Sequence, residues 1–339
     1  MAQRFDPKRV VFLSAAGVNV LVLSVGSPLG QSVVKSLQSS TIAVNVHVAD
    51  INHFAAGFYF PEVAATMLPL VKDSKYAKEI SEYIVENKVS AVFPIIAAEH
   101  EFFEHNVDMF DSLGVAILAC SPETYKLCSD KYESMAHLRK LGIDAPDTAL
   151  CSSDEAIEEF LKRNTFPVFI KPRYGASSAD LFRLESRDQL FALIRAFPPN
   201  HFVVQEFLGD RRDFTAGVFI SPDLSYSSAM LIERELKFGL SYRGEVFENE
   251  DFSRYCVRVA EAFSSTYSVN VQFKVKDNMP FAYEINPRLS STSSVRAHFG
   301  FNEPEMMLRY GLGLGREQPV GKRTGLFTRF WQEHYLDDE

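Results

Sequence analysis

The chain has 339 residues, 46% hydrophobic and 23% charged, a composition that excludes a disordered, collagenous or coiled-coil polypeptide. Thirty-five Lys and Arg against 44 Asp and Glu leave a formal charge of −9, which argues against wrapping a phosphate backbone, so no nucleic-acid partner is expected. At roughly 100–200 residues per domain, the length allows two or three packed modules.

Residues 10–34 carry no charge and follow Lys8-Arg9. Ser14, Gly17, Asn19, Ser24, Gly26 and Pro28 interrupt the run, so it does not read as one bilayer-spanning helix. A strand, a turn and a helix start fit it better than an export signal. Residues 1–18 read as an N-terminal extension before a first core strand at Asn19–Val25. No other stretch reads as a membrane span, so no membrane partner is expected. The four cysteines, at 120, 128, 151 and 256, have no CxxC spacing and read as reduced buried thiols of a cytoplasmic protein.

After the first strand, GSPLG (26–30) is a turn and Gln31–Leu37 opens a helix. Strands follow at 44–50, 66–70, 90–96 and 115–120, with helices over Tyr76–Glu86 and Glu101–Leu113 between them. The strands are continuous Val/Ile runs rather than alternating ones, so they predict a parallel sheet covered on both faces. A glycine turn after a strand lets backbone N–H groups approach an anion at a helix start. Asp50 ends the next strand, where a dinucleotide fold places its ribose-binding acid. GSPLG is not GxGxxG, however, and a tight structural turn is the simpler reading. An NAD-dependent dehydrogenase would rest on Gly26, Gly30 and Asp50 alone. His100 and His105 in EHEFFEH are five apart and diverge on a helix, so they do not read as a metal pair.

From residue 124 the pattern changes. Tyr125–Leu141 is helical and ends at Gly142. Ser153 is placed to cap a helix over Asp154–Lys162. Strands are expected at 167–172, 180–184, 202–207, 214–220, 227–232, 269–275 and 280–286, with a helix over Phe252–Ser264. This half reads as α+β with antiparallel hairpins.

Four stretches carry chemistry. In FPVFIKPRYGASSAD (166–180), a buried strand delivers Lys171 into small residues, which permit close backbone approach to phosphate oxygens. In VVQEFLGDRRDFTAGVF (203–219), the strand-edge backbone at Glu206–Leu208 can read a purine edge, and Asp213 can accept hydrogen bonds from ribose hydroxyls. In NVQFKVKDNMPFAYEINPR (270–288), Glu284 and Asn286 are two apart on one strand and share a face. A short hairpin sets Gln272 opposite them. Two amide oxygens and a carboxylate form a hard oxygen site suited to Mg²⁺ shared with nucleotide phosphates. Arg288 follows, placed for a bidentate grip on a terminal phosphate. SSTSSV (290–295), with Ser291, then offers hydroxyls and backbone donors ahead of a helix.

These stretches occur in an order that resembles the ATP-grasp fold, in particular its carbamoyl-phosphate-synthase-like and amino acid ligase branches. The resemblance covers about 124 to 315 and rests on SDKYESMAHLRKLGIDAPDT, FPVFIKPRYGASS, VQEFLGDRRDFT, NVQFKV and YEINPRLSSTSS. Residues 19–123 resemble the degenerate Rossmann-like domain that precedes it. The implied architecture is an α/β pre-ATP-grasp domain (19–123) and a two-lobed α+β ATP-grasp domain (124–317) with a small lid lobe at about 144–203. A C-terminal strand and tail (318–339) completes it.

The resemblance implies ATP and Mg²⁺ (or Mn²⁺) as cofactors. It also implies nucleotide-binding roles for Lys131 and Lys171 and an adenine-binding hinge at Glu206 and Leu208. Asp213 matches a ribose position usually held by Glu. Gln272, Glu284 and Asn286 match the metal positions, and Arg288 the residue facing the γ-phosphate, with Arg288 and Lys171 as the catalytic cations. It implies a carboxylate–amine ligase that phosphorylates a small-molecule carboxylate and lets an amine attack the acyl phosphate, on an amino acid or amino sugar. Homodimers are frequent in the family. Arg234, Lys237 and Arg243 in RELKFGLSYRGEVFENED (234–251), and Arg296 and His298 beyond Ser291, are substrate candidates; the first stretch reads equally as a solvated loop. A nucleotide-binding regulator without turnover is the alternative. LFTRFWQEHYL (326–336), with the single Trp331, reads as a packed final strand.

Overall fold

A computed structural model describes residues 17–175, 181–209, 212–315 and 321–336. The chain opens with β1 (Val18–Val22), α1 (Pro28–Gln38), β2 (Val44–Asp50), β3 (Val63–Met67), α2 (Tyr76–Glu86), β4 (Ala91–Phe93), α3 (Ala97–His105), α4 (Val107–Leu113) and β5 (Ala116–Ile117). These strands form a parallel sheet in the order β3-β2-β1-β4-β5. Val20, Leu21 and Val22 are all at 0% exposure; successive side chains point to opposite faces, so both faces are covered, as the unbroken apolar run requires. The helix expected over 101–113 is two helices. They join at Asn106, whose Nδ2 donates to the Phe102 carbonyl at 2.8 Å.

Asp50 is not free for a ribose. Its Oδ2 accepts from the Gly26 amide at 2.8 Å and its Oδ1 from the Asn52 amide at 3.1 Å. A Cβ at Gly30 would lie 2.5 Å from the Ser24 carbonyl oxygen, so that glycine serves the packing of α1 on β1. The turn is structural, and the dehydrogenase reading loses its acid.

Next come α5 (Pro122–Ser129) and α6 (Lys131–Lys140). The sequence reads them as one helix, but Asp130 divides them. Its carboxylate accepts from the Tyr132 and Glu133 amides, which caps α6, and it holds Arg173 Nη2 at 2.7 Å.

The small lobe contains β6 (Thr148–Leu150), α7 (Asp154–Leu161), β7 (Val168–Pro172), β8 (Phe182–Leu184), α8 (Arg187–Arg195) and β9 (Phe202–Glu206). Its antiparallel sheet runs β6-β9-β7-β8 over a core with Ile157, Phe160, Ile170 and Val204. Ser153 caps α7 through the Ala156 amide.

The large lobe holds β10 (Asp213–Ile220), β11 (Ser227–Lys237), β12 (Leu240–Phe247), α9 (Glu250–Ala262), β13 (Tyr267–Lys276), β14 (Met279–Asn286), α10 (Ser293–His298), α11 (Glu303–Gly311) and β15 (Gly325–Thr328). Its sheet order is β14-β13-β10-β11-β12-β15. Residues 234–251 are therefore a hairpin and a helix start, not a solvated loop. Phe238 and Gly239 both have positive φ, 54° and 74°, the conformation that a tight two-residue hairpin turn requires. The tail departs from expectation as well. The final strand stops at Thr328, and Trp331 is 79% exposed. Among the tail's aromatic residues, His334 stacks on Tyr59 at 4.8 Å.

Candidate active site

A cavity of about 2650 Å³ opens between the parallel sheet, the small lobe and the large sheet. One irregularity shapes its floor. Gln272 pairs with Glu284 but Phe273 pairs with Ala282, so Tyr283 is an extra residue bulged out of β14. Without the bulge, neighbours would alternate between core and cleft. With it, Ala282 is buried in the core while Tyr283 and Glu284 both line the cavity. Asn286 follows on the same face, and its Nδ2 donates to Glu284 Oε1 at 2.9 Å.

Cations surround Glu284. Lys171, on β7, is 7% exposed and donates to the Tyr283 carbonyl at 2.9 Å. Burial lowers its pKa to about 8; Glu284 pulls it upward and Lys131 pushes it further down. Lys131, at the start of α6, donates to the Gly175 carbonyl at 2.7 Å, and burial lowers its pKa against the pull of Glu284. Arg288 lies just beyond β14, with Nη1 on the Leu289 carbonyl at 3.2 Å and Nη2 at 3.4 Å from Asn286 Oδ1. Burial alone would push the Glu284 carboxyl up, but Lys171, Lys131, the Asn286 amide and Arg288 together hold it below the usual range. Glu284 is therefore an anion at neutral pH.

A second network lies one strand away. Arg234 Nε donates to Asp213 Oδ1 at 2.7 Å, and its Nη2 donates to Gln272 Oε1 at 2.7 Å. The Tyr283 hydroxyl donates to Asp213 Oδ2 at 2.9 Å and lies 3.1 Å from Gln272 Oε1. Asp213 lines the cavity but is already engaged by two partners. Glu206 ends β9 at the junction of the lobes. One of its carboxylate oxygens pairs with Lys276 and the other accepts from the Asp147 amide at 3.2 Å. Leu208 is 8% exposed and lines the cavity. Ser291 also lines it, and its carbonyl accepts from Arg329. Of the small-residue loop after Lys171, residues 176–180 lie outside the described residues.

Two substrate candidates are displaced. Arg296 is at 0% exposure and ion-paired to the equally buried Glu303, Nε to Oε2 2.6 Å, with Thr292 accepting from its Nη1 at 2.7 Å. It is a structural group that orders the Ser/Thr run. Arg243 is exposed, pairs with Glu235 at 2.9 Å and lies on β12 away from the cavity lining. The turn between β11 and β12 sets Glu235 and Arg243 opposite each other in the register of a sheet rather than a flexible loop.

Sequence reasoning passed over Tyr283, and His100, which reads as part of a solvated helix face, is buried. Tyr283 is legible only once the bulge is known. His100 stacks on Tyr125 at 4.5 Å, and its Nε2 is buried without a hydrogen-bond partner among the described residues. Burial, reinforced by Arg288, lowers its pKa to about 3, so the ring is neutral. Among the described residues no group of three His, Cys, Asp or Glu could hold a metal by itself. The oxygen-only pair of Glu284 and Asn286 suits a hard ion completed by phosphate oxygens. Among the described residues no helix is long and apolar enough to cross a membrane.

With this geometry in place, the chain can be set beside known proteins. The PylC-like N-terminal domain family matches residues 20–118, and the RimK-like ATP-grasp domain family residues 128–260. The family described as ATP-grasp in the biosynthetic pathway with Ter operon matches residues 225–333. The carbamoyl phosphate synthase large chain of Sulfurisphaera tokodaii is 23% identical over 303 residues, 82% of this chain and 28% of that one. The chain spans only 20–31% of three further carbamoyl phosphate synthase chains that it matches. Among solved structures, one neighbour is the biotin carboxylase domain dimer of Hydrogenobacter thermophilus 2-oxoglutarate carboxylase, with MgADP, ADP and bicarbonate. It superposes with a TM-score of 0.69 at 12% identity, covering 88% of this chain and 70% of that one. L-amino acid ligase from Bacillus licheniformis gives a TM-score of 0.63 at 14% identity, covering 91% and 76%. At these identities the structural likeness speaks for the fold.

Proposed function

We propose that this chain, which belongs to the ATP-grasp superfamily, is an ATP- and Mg²⁺-dependent carboxylate–amine ligase acting through an acyl phosphate on an amino acid or amino sugar. The observation that carries the reading is Glu284, an ionised carboxylate set beside Asn286 and faced by Lys171, Lys131 and Arg288 in one cleft. The L-amino acid ligase and the MgADP-bound carboxylase among the structural neighbours support it.

Glu284 and Asn286 would hold Mg²⁺, or Mn²⁺ in its place; when bound, the ion neutralises charge on the phosphates. Arg288 and Lys171 are the catalytic cations. They stabilise charge that develops on the transferred phosphoryl group as the substrate carboxylate attacks the γ-phosphorus and ADP leaves. The amine then attacks the acyl carbon and phosphate departs, so no protein nucleophile is needed. Glu206 and Leu208 form the adenine edge and Lys131 the second phosphate cation; Asp213, whose carboxylate also accepts from Arg234 and Tyr283 but lines the cavity, stands on the ribose side. Ser291 faces the acceptor. Closure of the small lobe (144–203) over the pre-ATP-grasp domain (19–123) and the rest of 124–317 excludes water from the acyl phosphate. The carboxylase neighbour's dimer supports including a homodimer in the reading.

The test is ADP formation by the purified chain with ATP, Mg²⁺ and pools of amino acids or amino sugars. Substrate-stimulated release supports the ligase. A flat response with intact nucleotide binding would favour the regulator without turnover.

A further inference from the structure

This inference rests on the ligase reading and concerns how many cations the nucleotide site takes. Asp213 pairs with Arg234 across β10 and β11, while Thr215 pairs with Gln272 across β10 and β13. The Arg234 side chain therefore reaches over β10 to the Gln272 amide. It is 7% exposed and donates to four side chains: Asp213 Oδ1, Gln272 Oε1, the Tyr283 hydroxyl at 3.3 Å and Ser241 Oγ at 3.4 Å. A guanidinium does not give up its proton in a protein, so this charge is permanent.

An amide oxygen has two lone pairs. In Gln272 one accepts from Arg234 Nη2 at 2.7 Å, and the Tyr283 hydroxyl stands 3.1 Å from the same atom. A metal ion on that oxygen would sit beside a fixed guanidinium, with like charges in a low-dielectric cleft. Gln272 therefore does not fit the ligand set, whereas Glu284 does; the Asn286 oxygen meets Arg288 Nη2 only at 3.4 Å, against 2.7 Å for Arg234 on Gln272. One Glu284 oxygen accepts from Asn286, and the other has no hydrogen-bond or ion-pair partner among the described residues.

We propose that Arg234 is a resident cation of the nucleotide site that withholds Gln272 from the metal, so that the site takes one divalent ion with its triphosphate, on Glu284 and Asn286, rather than two. Arg234 acts through Gln272 and is a positioning residue.

The experiment is an electron paramagnetic resonance titration of the full chain with Mn²⁺, in the presence of a non-hydrolysable ATP analogue. The wild-type chain is expected to bind one Mn²⁺. Gln272→Met should leave the Mn²⁺ dissociation constant within about twofold, whereas Glu284→Ala should weaken it by about tenfold or more. Arg234→Met releases Gln272 and should raise the count to two, a change that a merely structural role for Arg234 does not produce. Two Mn²⁺ in the wild-type chain, or a tenfold loss in Gln272→Met, overturns the proposal and leaves the ligase reading standing. A wild-type chain that fails to bind the analogue overturns both.

Discussion

Arg296 and Glu303 form an ion pair, Nε to Oε2 2.6 Å, with both side chains at 0% exposure. Ser268 donates to the other Glu303 oxygen at 2.6 Å, and Ser290, Thr292 and Ser293 accept from the guanidinium. Removing either partner strands a buried charge, which costs about 3–5 kcal/mol. Arg296→Met and Glu303→Ala should each lower the denaturant midpoint accordingly. Gly217 faces the same pair, and a Cβ there would lie 2.1 Å from Arg296 Nε, so Gly217→Ala should destabilise too. Wild-type midpoints with a raised KM would return Arg296 to substrate binding.

The cysteines should be inert in the folded protein. Burial pushes the Cys120 and Cys151 thiols up to about 12 and those of Cys128 and Cys256 well above the ordinary thiol range. The thiolate is the reactive form. A disulfide reagent at neutral pH should therefore label Cys128, Cys151 and Cys256 only as fast as the native chain opens, and Cys120, which is half-buried in the cleft wall, slowly because its thiol stays protonated; all four should react once the chain is unfolded. A thiol that reacts at once in the native state would contradict this and would call for a new account of the Cys120 wall of the cleft.

Much of this was legible in the residues, for physical reasons. Unbroken Val/Ile runs marked the doubly covered parallel sheet, and the two-residue spacing of Glu284 and Asn286 placed them on one face. The failures are equally specific. Arg296 reads as a substrate candidate because its buried partner, Glu303, comes only after the helix has ended. Arg243 looked available because charged residues obscured the alternation of β12. Nothing local to Gln272 reveals that Arg234, two strands away, reaches its oxygen. Local periodicity reports faces, whereas long-range pairing decides which polar groups remain free.

Glu284→Gln keeps the side-chain shape and removes the charge. Turnover should fall by about 10²–10³, and the rise in melting temperature given by Mg²⁺ with an ATP analogue should shrink with it. The pH dependence has a definite sign. Burial alone would raise this pKa, but the opposing pull of Lys171, Lys131, Asn286 and Arg288 leaves it below the usual carboxylate range. Its contribution to stability is therefore present above the ordinary glutamate value and is lost as pH falls through the depressed one. The variant should show a shallower loss of stability in acid, measured by denaturant titration across that window; an unchanged acid limb would contradict the ionised state assigned to Glu284.

Lys171 carries the last prediction. Burial, with Lys131 adding to it, lowers its pKa to about 8 against the opposing pull of Glu284. The unfolded chain binds more protons at this site between about 8 and the ordinary lysine value, so stability contributed by Lys171 rises with pH across that interval. Nucleotide binding acts in the opposite sense, because a triphosphate favours the charged ammonium. In the free protein at a pH about one unit above that value, most Lys171 is neutral, and binding must draw a proton from the buffer. Calorimetry of ATP-analogue binding in buffers of different ionisation enthalpy should therefore report proton uptake above pH 8 that fades as the pH is lowered. Lys171→Arg holds its charge throughout and should bind without that uptake. Uptake persisting in Lys171→Arg would move the titrating group elsewhere, with Lys131, whose pKa burial also lowers, as the next to test.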